Sequence, residues 1–304
     1  MLDQKIPPML ARPATAFDSP DFLYEIKWDG TRCILFAEEK SIRLQNRKLI
    51  DVSFKYPEIA AQRDRIKAQT AILDGEIVYL REGKPDFYML QKRFALRNPK
   101  TIRNYSARYP TTFVAFDLLY LNGESCLKMP LCRRKELLET VVEKSPSIIV
   151  SHPFTKGTQL FREACRLELE GIVAKRADSP YSMGSRSQNW LKIKALKNLD
   201  CLIAGYVPRD GVFGESIGSL VLAEKRGEAG HLFYRGHVAS GLSDRQMSTI
   251  YSKLQGLKTD RPTLNLRRLR GVQWVEPRLK CRVVFNEYTW WGHLRAPVFK
   301  KLIE

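Results

Sequence analysis

The stretch YEIKWDGTRC, residues 24–33, sets a lysine, Lys27, two residues ahead of Asp29–Gly30 and an arginine, Arg32, two residues beyond the glycine. Asp-Gly is a turn dipeptide, because glycine takes positive φ at no steric cost. The pattern therefore reads in two ways. Lys27 and Arg32 could be solvated partners on the strands of a hairpin. Alternatively, a turn could present an amine, a carboxylate and a guanidinium to one phosphate-bearing substrate. Four further stretches pose similar choices. LDGEI sets Asp74–Gly75 at a tight position and aims Glu76 from a strand. In FVAFDLLYLNG, Phe116 is apolar enough for the core, yet an aromatic at a strand end can also stack on a base. LELEGIVAKR puts Glu170 before a glycine at a helix-to-strand junction, with Lys175 following. A carboxylate there gains nothing from the helix dipole, so the placement points to function. In NWLKIKAL, Lys192 and Lys194 share one face of a strand while Leu191 and Ile193 share the other. Two ammoniums side by side are costly unless an anion lies between them; a solvated face is the alternative for this pair.

These residues need elements to hold them. From Phe22 to about Leu199, strand-like and helical runs alternate. YEIKW, TRCILFA and SIRLQN read as a meander, PEIAAQRDRIKA as a helix and AILDGEIVYL as a hairpin. TTFVAFDLLYL reads as a long buried strand, RRKELLETVVEK as an amphipathic helix, and GIVAKR and NWLKIKAL as strands. After about Lys197, DCLIAGYVP, GSLVLAEK, HLFYRGHVA and CRVVFNEYTWW are short strands spaced by glycine-rich turns, with one helix, SDRQMSTIYSKLQG. That texture suggests a small barrel of the oligonucleotide-binding type. The expected fold class is α+β: antiparallel sheets flanked by helices over residues 1–197, then an OB-fold β-barrel over 198–304.

Bulk composition narrows the function. The 304 residues carry 51 Lys+Arg against 33 Asp+Glu, a net charge of +18, and both halves are basic: +11 over 1–199 and +7 over 200–304. A polyanion touched by both halves accounts for this. No window resembles a membrane span or a signal peptide, so a cytoplasmic, nucleoid-associated protein is expected. The six cysteines form no CxxC pair, which argues against a structural zinc site or a disulfide framework.

Taken in order, K-x-D-G-x-R, D-G-E, F-D-L-L-Y-L-N-G, E-G-I-V-A-K and W-L-K-I-K resemble the covalent nucleotidyltransferase superfamily of ATP-dependent DNA ligases, RNA ligases and capping enzymes. YEIKWDGTR, SPYSMGSRSQNWLKIK and NEYTWWGHLRAPVFKKL look most like bacterial ATP-dependent DNA ligases of the end-joining and repair type. The likeness covers nearly the whole chain and is to a ligase core alone, without a polymerase or phosphoesterase.

The resemblance implies the following roles. Lys27 is the nucleophile that takes AMP from ATP. An unperturbed lysine has a pKa near 10.4, leaving about 0.1% neutral near pH 7.4, so a metal ion and the Lys192/Lys194 pair are expected to favour the free amine. Those two lysines also neutralise the α-phosphate. Glu76 and Glu170 serve the ribose and a Mg²⁺ (or Mn²⁺) ion. Asp29 assists at the 3′-hydroxyl, and Arg32 and Arg47, with Arg186, hold DNA phosphate. Phe116 stacks on adenine, and the backbone at Glu25–Ile26 reads its edge. Two departures stand out. QNRK, residues 45–48, replaces the usual S-R-N-G around Arg47. The last basic motif is matched loosely by LRAPVFKKL, leaving Arg295, Lys300 and Lys301 to orient pyrophosphate. QKRFALRNPKTIRNYSARY suits phosphate contacts or a solvated basic loop. The implied substrate is duplex DNA with nicks or ends, handled by a monomer, with a Ku-like end-binding protein as a further partner. An RNA ligase or capping-type enzyme is the rival reading, and a non-catalytic DNA-binding protein the third. The presence of Lys27 speaks against the third.

Overall fold

The computed structural model describes residues 1–209, 216–227, 231–264 and 271–303, and the chain divides into two units, Met1–Ala195 and Leu196–Glu304. The first unit begins with β1 (Leu10–Pro13), β2 (Phe22–Ile26), β3 (Thr31–Ala37) and β4 (Ile42–Asn46). The one-turn α1 (Pro57–Ala60), β5 (Ala71–Val78), the small hairpin of β6 (Leu80–Arg81) and β7 (Lys84–Pro85), α2 (Phe87–Ala95) and α3 (Pro99–Arg108) follow. Then come β8 (Thr112–Leu121), β9 (Glu124–Ser125), α4 (Leu131–Val141), β10 (Ile148–Val150), α5 (Gly157–Arg166), β11 (Gly171–Arg176) and β12 (Arg186–Lys194).

Two sheets result. The smaller runs β1-β12-β11-β2 and the larger β10-β8-β5-β3-β4, with β9 on β8. Most pairings are antiparallel, but β1 with β12 and β10 with β8 are parallel, a departure from the antiparallel expectation. Because side chains alternate across a strand, each sheet sorts its residues between two cores. Cys33, Leu35, Leu73 and Ala115 of the larger sheet pack with Leu90 of α2 and Leu138 and Val141 of α4. Ile34, Phe36, Ile72 and Phe116, on the other face, meet Met9, Tyr181 and Trp190. In the smaller sheet, Tyr24, Ile172, Ala174 and Ile193 turn to Leu160 and Ala164 of α5. The Ile34 and Phe116 face of the larger sheet and the face of the smaller sheet that carries Trp190 also enclose the polar residues described below.

Three expectations fail here. YEIKW and TRCILFA are not a meander: β2 and β3 lie in different sheets, and Lys27–Gly30 crosses between them. Gly30 is not there for positive φ. A Cβ on it would lie 2.2 Å from the Ile77 carbonyl oxygen, so close approach demands glycine. AILDGEIV is one continuous strand rather than a hairpin. Asp74–Gly75 marks a shift of register against β8, and a Cβ on Gly75 would meet the Phe113 ring at 2.4 Å. PEIAAQRDRIKA gives only α1 and a 3₁₀ turn over Arg63–Arg65. The Arg63 guanidinium donates to the carbonyls of Glu38, Ile66, Ala68 and Gln69, which pins the chain off the helical path. QKRFALRNPKTIRNYSARY, for which a solvated loop is the alternative to phosphate contacts, runs through the end of α2 and all of α3, with residues 96–98 between them. Asn98 caps α3 by accepting from the Lys100 and Thr101 amides, with Pro99 in the first turn.

The second unit contains β13 (Lys197–Pro208), β14 (Ile217–Arg226), β15 (His231–Val238), α6 (Asp244–Gln255), β16 (Gln273–Trp274), β17 (Lys280–Phe285) and β18 (Val298–Ile303). The order is β15-β14-β13-β17-β18, with β16 on β13 and every pair antiparallel. Among the described residues no ladder joins β15 to β18, so the sheet is not a barrel closed by strand pairing. Helix α6 opens on a capping box between Ser243 and Gln246 and buries Ile250 and Leu254 in the core with Ile203, Leu222 and Phe285.

Candidate functional site

Register lines the site up. Glu25, Val173 and Lys192 are neighbours across β2, β11 and β12, as are Leu23, Lys175 and Trp190, while Gly171 pairs with Lys194. Opposed residues share a face, so Glu25, Lys175, Trp190, Lys192 and Lys194 all point away from α5. Lys27 follows β2 directly, and its backbone amide donates to the Gly171 carbonyl. On the larger sheet, Arg32 of β3 is paired with Glu76 of β5. The alternation that places Ile34 and Ile72 between the sheets puts Arg32, Asp74 and Glu76 there too.

The structure brings Lys27 and Glu170 into an ion pair, and Lys194 Nζ lies 3.4 Å from the other Glu170 oxygen. Burial, with Glu170 and Asp74 nearby, pushes the Glu76 carboxyl up to about 8 against the pull of Arg32 and Lys27. Burial lowers Lys192, and the charges of Arg186, Lys194, Lys27 and Arg47 lower it further. Lys27, Lys192, Lys194, Arg47 and Arg186 thus form one cationic neighbourhood, the arrangement that an anion relieves. Arg47 and Arg186 are exposed, the latter donating to the Ala11 carbonyl at 3.0 Å. Asp29 is half-buried in the crossing segment.

Other expected residues are held more firmly than sequence suggests. Arg32 grips Asp74 bidentately, 2.6 Å on each arm, and donates to the Met9 carbonyl. Phe116 is 7% exposed, and the Arg32 guanidinium and Lys175 ammonium approach its ring to 4.5 and 4.1 Å. β2 is the outer strand of its sheet, where Tyr24 exchanges hydrogen bonds with Phe154. By the two-residue alternation, the next outward-facing backbone pair is that of Ile26. In the second unit Arg295 pairs with Glu287 at 2.6 Å, while Lys300 and Lys301 are exposed neighbours on β18 and so face opposite sides.

Lys135, Asp117, Arg134 and Tyr181 escaped sequence reasoning, as did the side-chain pairing of Glu25, Lys175 and Asp74. Glu25 is buried with Lys135 and Lys175, each 3.1 Å away. Burial works against its carboxylate, but the two ammoniums outweigh burial and hold it below the usual range. Burial drives Lys175 down to about 8 despite Glu25. Lys135 also donates to the Ser151 carbonyl, and Trp28 Nε1 to the Ser151 hydroxyl at 3.3 Å. Asp117 and Arg134, both fully buried, form a two-armed pair. Asp74 accepts from Tyr181 at 2.6 Å as well as from Arg32. One signal was available. Arg134 and Lys135 occupy the buried stripe of α4 with Leu131, Leu138 and Val141, where helical spacing calls for apolar residues.

Among the described residues no group of three or more His, Cys, Asp or Glu side chains forms a metal site, and no helix is long and apolar enough to cross a membrane. The donor set still suits a divalent cation. Glu76 and Glu170 offer hard oxygen atoms, and their charges repel, which a bound cation would relieve.

Two family models match the chain: the ATP dependent DNA ligase domain over residues 8–194 and the ATP dependent DNA ligase C terminal region over 213–304. The multifunctional non-homologous end joining DNA repair protein LigD of Mycobacterium tuberculosis is 31% identical over 302 residues, covering 97% of this chain and 38% of that protein. A DNA ligase of Thermococcus fumicolans is 30% identical over 295 residues, 92% of this chain and 51% of its own. The chain thus spans well under two thirds of these relatives. The crystal structure of the ligase domain from M. tuberculosis LigD is 30% identical with a TM-score of 0.57, covering 98% of this chain and 95% of that one. Both matched regions and the site between the two sheets of the first unit agree: the chain belongs to the ATP-dependent DNA ligase family, with its nucleotidyltransferase-type fold.

Proposed function

We propose that this chain is an ATP-dependent DNA ligase that joins 3′-hydroxyl and 5′-phosphate ends in three steps, serving DNA repair. The observation that carries the reading is the convergence of Lys27, Glu170, Glu76, Lys192 and Lys194 on one site. Lys27 Nζ attacks the α-phosphate of ATP, forming an N–P bond as the bond to pyrophosphate breaks. Lys192 and Lys194 meet the charge that grows on the phosphate oxygens. The 5′-phosphate of the DNA then displaces Lys27, and the 3′-hydroxyl, aided by Asp29, displaces AMP. Glu76 and Glu170 would hold Mg²⁺ or Mn²⁺, which would supply positive charge beside the Lys27 amine. Arg47 and Arg186, and Arg32 where Asp74 leaves it an arm, suit DNA phosphate. The outer edge of β2 at Ile26, braced by buried Glu25, suits the adenine edge. Phe116 then borders the base.

The domains are read as an adenylation domain, 1–197, and an OB-fold domain, 198–304, the strand order of the second unit and the single helix among its described residues supporting the latter. Arg295, Lys300 and Lys301 are the groups assigned to pyrophosphate. The enzyme works as a monomer in the cytoplasm at the nucleoid, on nicked or broken duplexes, and a Ku-like protein is its expected partner at ends.

Incubation with α-³²P-ATP tests the first step. The wild-type chain acquires an acid-stable label; Lys27→Ala and Lys27→Arg acquire none, since guanidinium supplies no free amine at neutral pH. Labelling of Lys27→Ala at the same site overturns the assignment, and labelling by GTP instead of ATP favours the capping-type rival.

A further inference from the structure

The loop between β17 and β18 carries two adjacent tryptophans, Trp290 and Trp291, that are 72% and 75% exposed. They occupy the two central positions of a tight turn. Thr289 and Gly292 close it, the Gly292 amide donating to the Thr289 carbonyl at 2.8 Å. Such corners ordinarily take Gly, Asn, Asp, Pro or Ser, so neither turn formation nor burial explains two indoles. The turn is also fixed in place. Thr289 N donates to the His293 carbonyl at 2.7 Å and Leu294 N to the Arg235 carbonyl at 2.8 Å. Arg235, buried against Glu224, donates to the Gly292 carbonyl at 2.5 Å. Gly292 has φ +75°, and a Cβ there would lie 2.9 Å from Arg235 Nη1. The rings of Tyr234 and His293, and of Phe285 and Tyr288, pack edge to face beneath it. A hairpin held this firmly presents the indoles as a rigid platform.

We propose that Trp290 and Trp291 stack on unpaired bases of a DNA strand, so that the second unit recognises single-stranded tails at broken ends. This rests on the DNA ligase reading and deepens it by naming the class of end. Two observations favour nucleic acid as the occupant. Among the described residues of the second unit, four of the five exposed large apolar side chains are aromatic: Phe233, Tyr288, Trp290 and Trp291, the fifth being Leu196. Base stacking uses π faces and tolerates every base. The neighbouring backbone also carries arginine: Arg226 and Arg235 pair with Glu224, and Arg295, four residues beyond the tip, pairs with Glu287. A backbone phosphate can meet such charge while its base meets an indole.

The test is fluorescence anisotropy of the full chain with a tailed duplex, a nicked duplex without a tail, and single-stranded oligothymidylate. The variants are the doubles Trp290→Ala/Trp291→Ala and Trp290→Phe/Trp291→Phe. The alanine pair is expected to weaken binding to the tailed duplex and the oligonucleotide about fivefold or more per lost stack. Affinity for the nicked duplex is expected to stay within about twofold, and the phenylalanine pair to recover most of the loss. Unchanged tail binding in the alanine pair overturns the proposal. So does an equal loss on all three ligands, or a loss traced by sedimentation to self-association through the tryptophans. Lys27 labelling is measured alongside. Absence of label in the wild-type chain would defeat the ligase reading while leaving the binding comparison intact.

Discussion

Lys175 shows how much a single position depends on its partners. It is 2% exposed, faces Glu25 and lies over the rings of Phe116 and Trp190. Two ammoniums, Lys135 and Lys175, share one carboxylate, so one positive charge is left over in the interior, and burial brings Lys175 down to about 8. A lysine whose folded-state pKa lies below its unfolded value binds more protons when unfolded. Its contribution to stability is therefore poorest below pH 8 and improves as pH rises from about 8 towards 10.4. The displacement corresponds to a pH-dependent effect on the order of 3 kcal/mol. Lys175→Met leaves Glu25 and Lys135 as a one-to-one pair. Melting curves across that range should show the gain in the wild-type chain and its loss in the variant. An undiminished gain in Lys175→Met would mean that another group carries it. Removing Lys135 and Lys175 together is a different matter, because it strands a buried carboxylate.

Among the elements, the crossing from β2 to β3 is the most constrained. It must carry Lys27 from the edge of one sheet and deliver Arg32 to the face of the other within a few residues. The path presses Gly30 against β5, where a Cβ would lie 2.2 Å from the Ile77 oxygen and 2.9 Å from Glu76 Cγ and Val78 Cγ1. The first of these neighbours is backbone and cannot swing aside. Gly30→Ala should therefore destabilise the first unit by about 1–3 kcal/mol, as overpacking does. It should also slow Lys27 labelling, because the same shift moves Lys27 relative to Glu76. Thermal denaturation and single-turnover adenylation check both halves. Wild-type values in the two measurements would show that the crossing yields without cost.

On the scale of the whole molecule, charge dominates. A net +18 spread over both halves of the sequence gives each unit the means to hold a polyanion. If about 6–10 phosphates are contacted, duplex affinity should fall by about 10³–10⁵ between 50 and 200 mM salt. Binding isotherms over that range give the slope directly. A flat dependence would exclude the basic surfaces of the two units as the DNA-binding surface.

Local order and motif identity were legible in the residues themselves. Strands of alternating character, the helix that opens at Ser243 and the order of the five motifs rest on neighbours a few positions apart, as does the Asn98–Pro99 start of α3, which escaped sequence reasoning. Such signals survive without tertiary context. Which sheet a strand joins does not. KWDG read locally is a hairpin turn, and LDGE likewise, yet one crosses between sheets and the other runs straight through a strand. Propensity yields there to long-range packing, with Phe113 against Gly75 and Ile77 against Gly30. The site is decided at the same level. Lys27 meets Glu170 across 143 positions, Glu25 meets Lys175 across 150, and Asp74 meets Tyr181 across 107. The sequence alone named Lys27, Glu170, Lys192 and Lys194 through their motifs. The sequence placed Glu25 at the site through its backbone alone; only the register of β2, β11 and β12 and the stacking of two sheets showed its buried side chain pairing with Lys135 and Lys175 and set Asp74 nearby, because burial of a charge becomes visible only when the chain has closed around it.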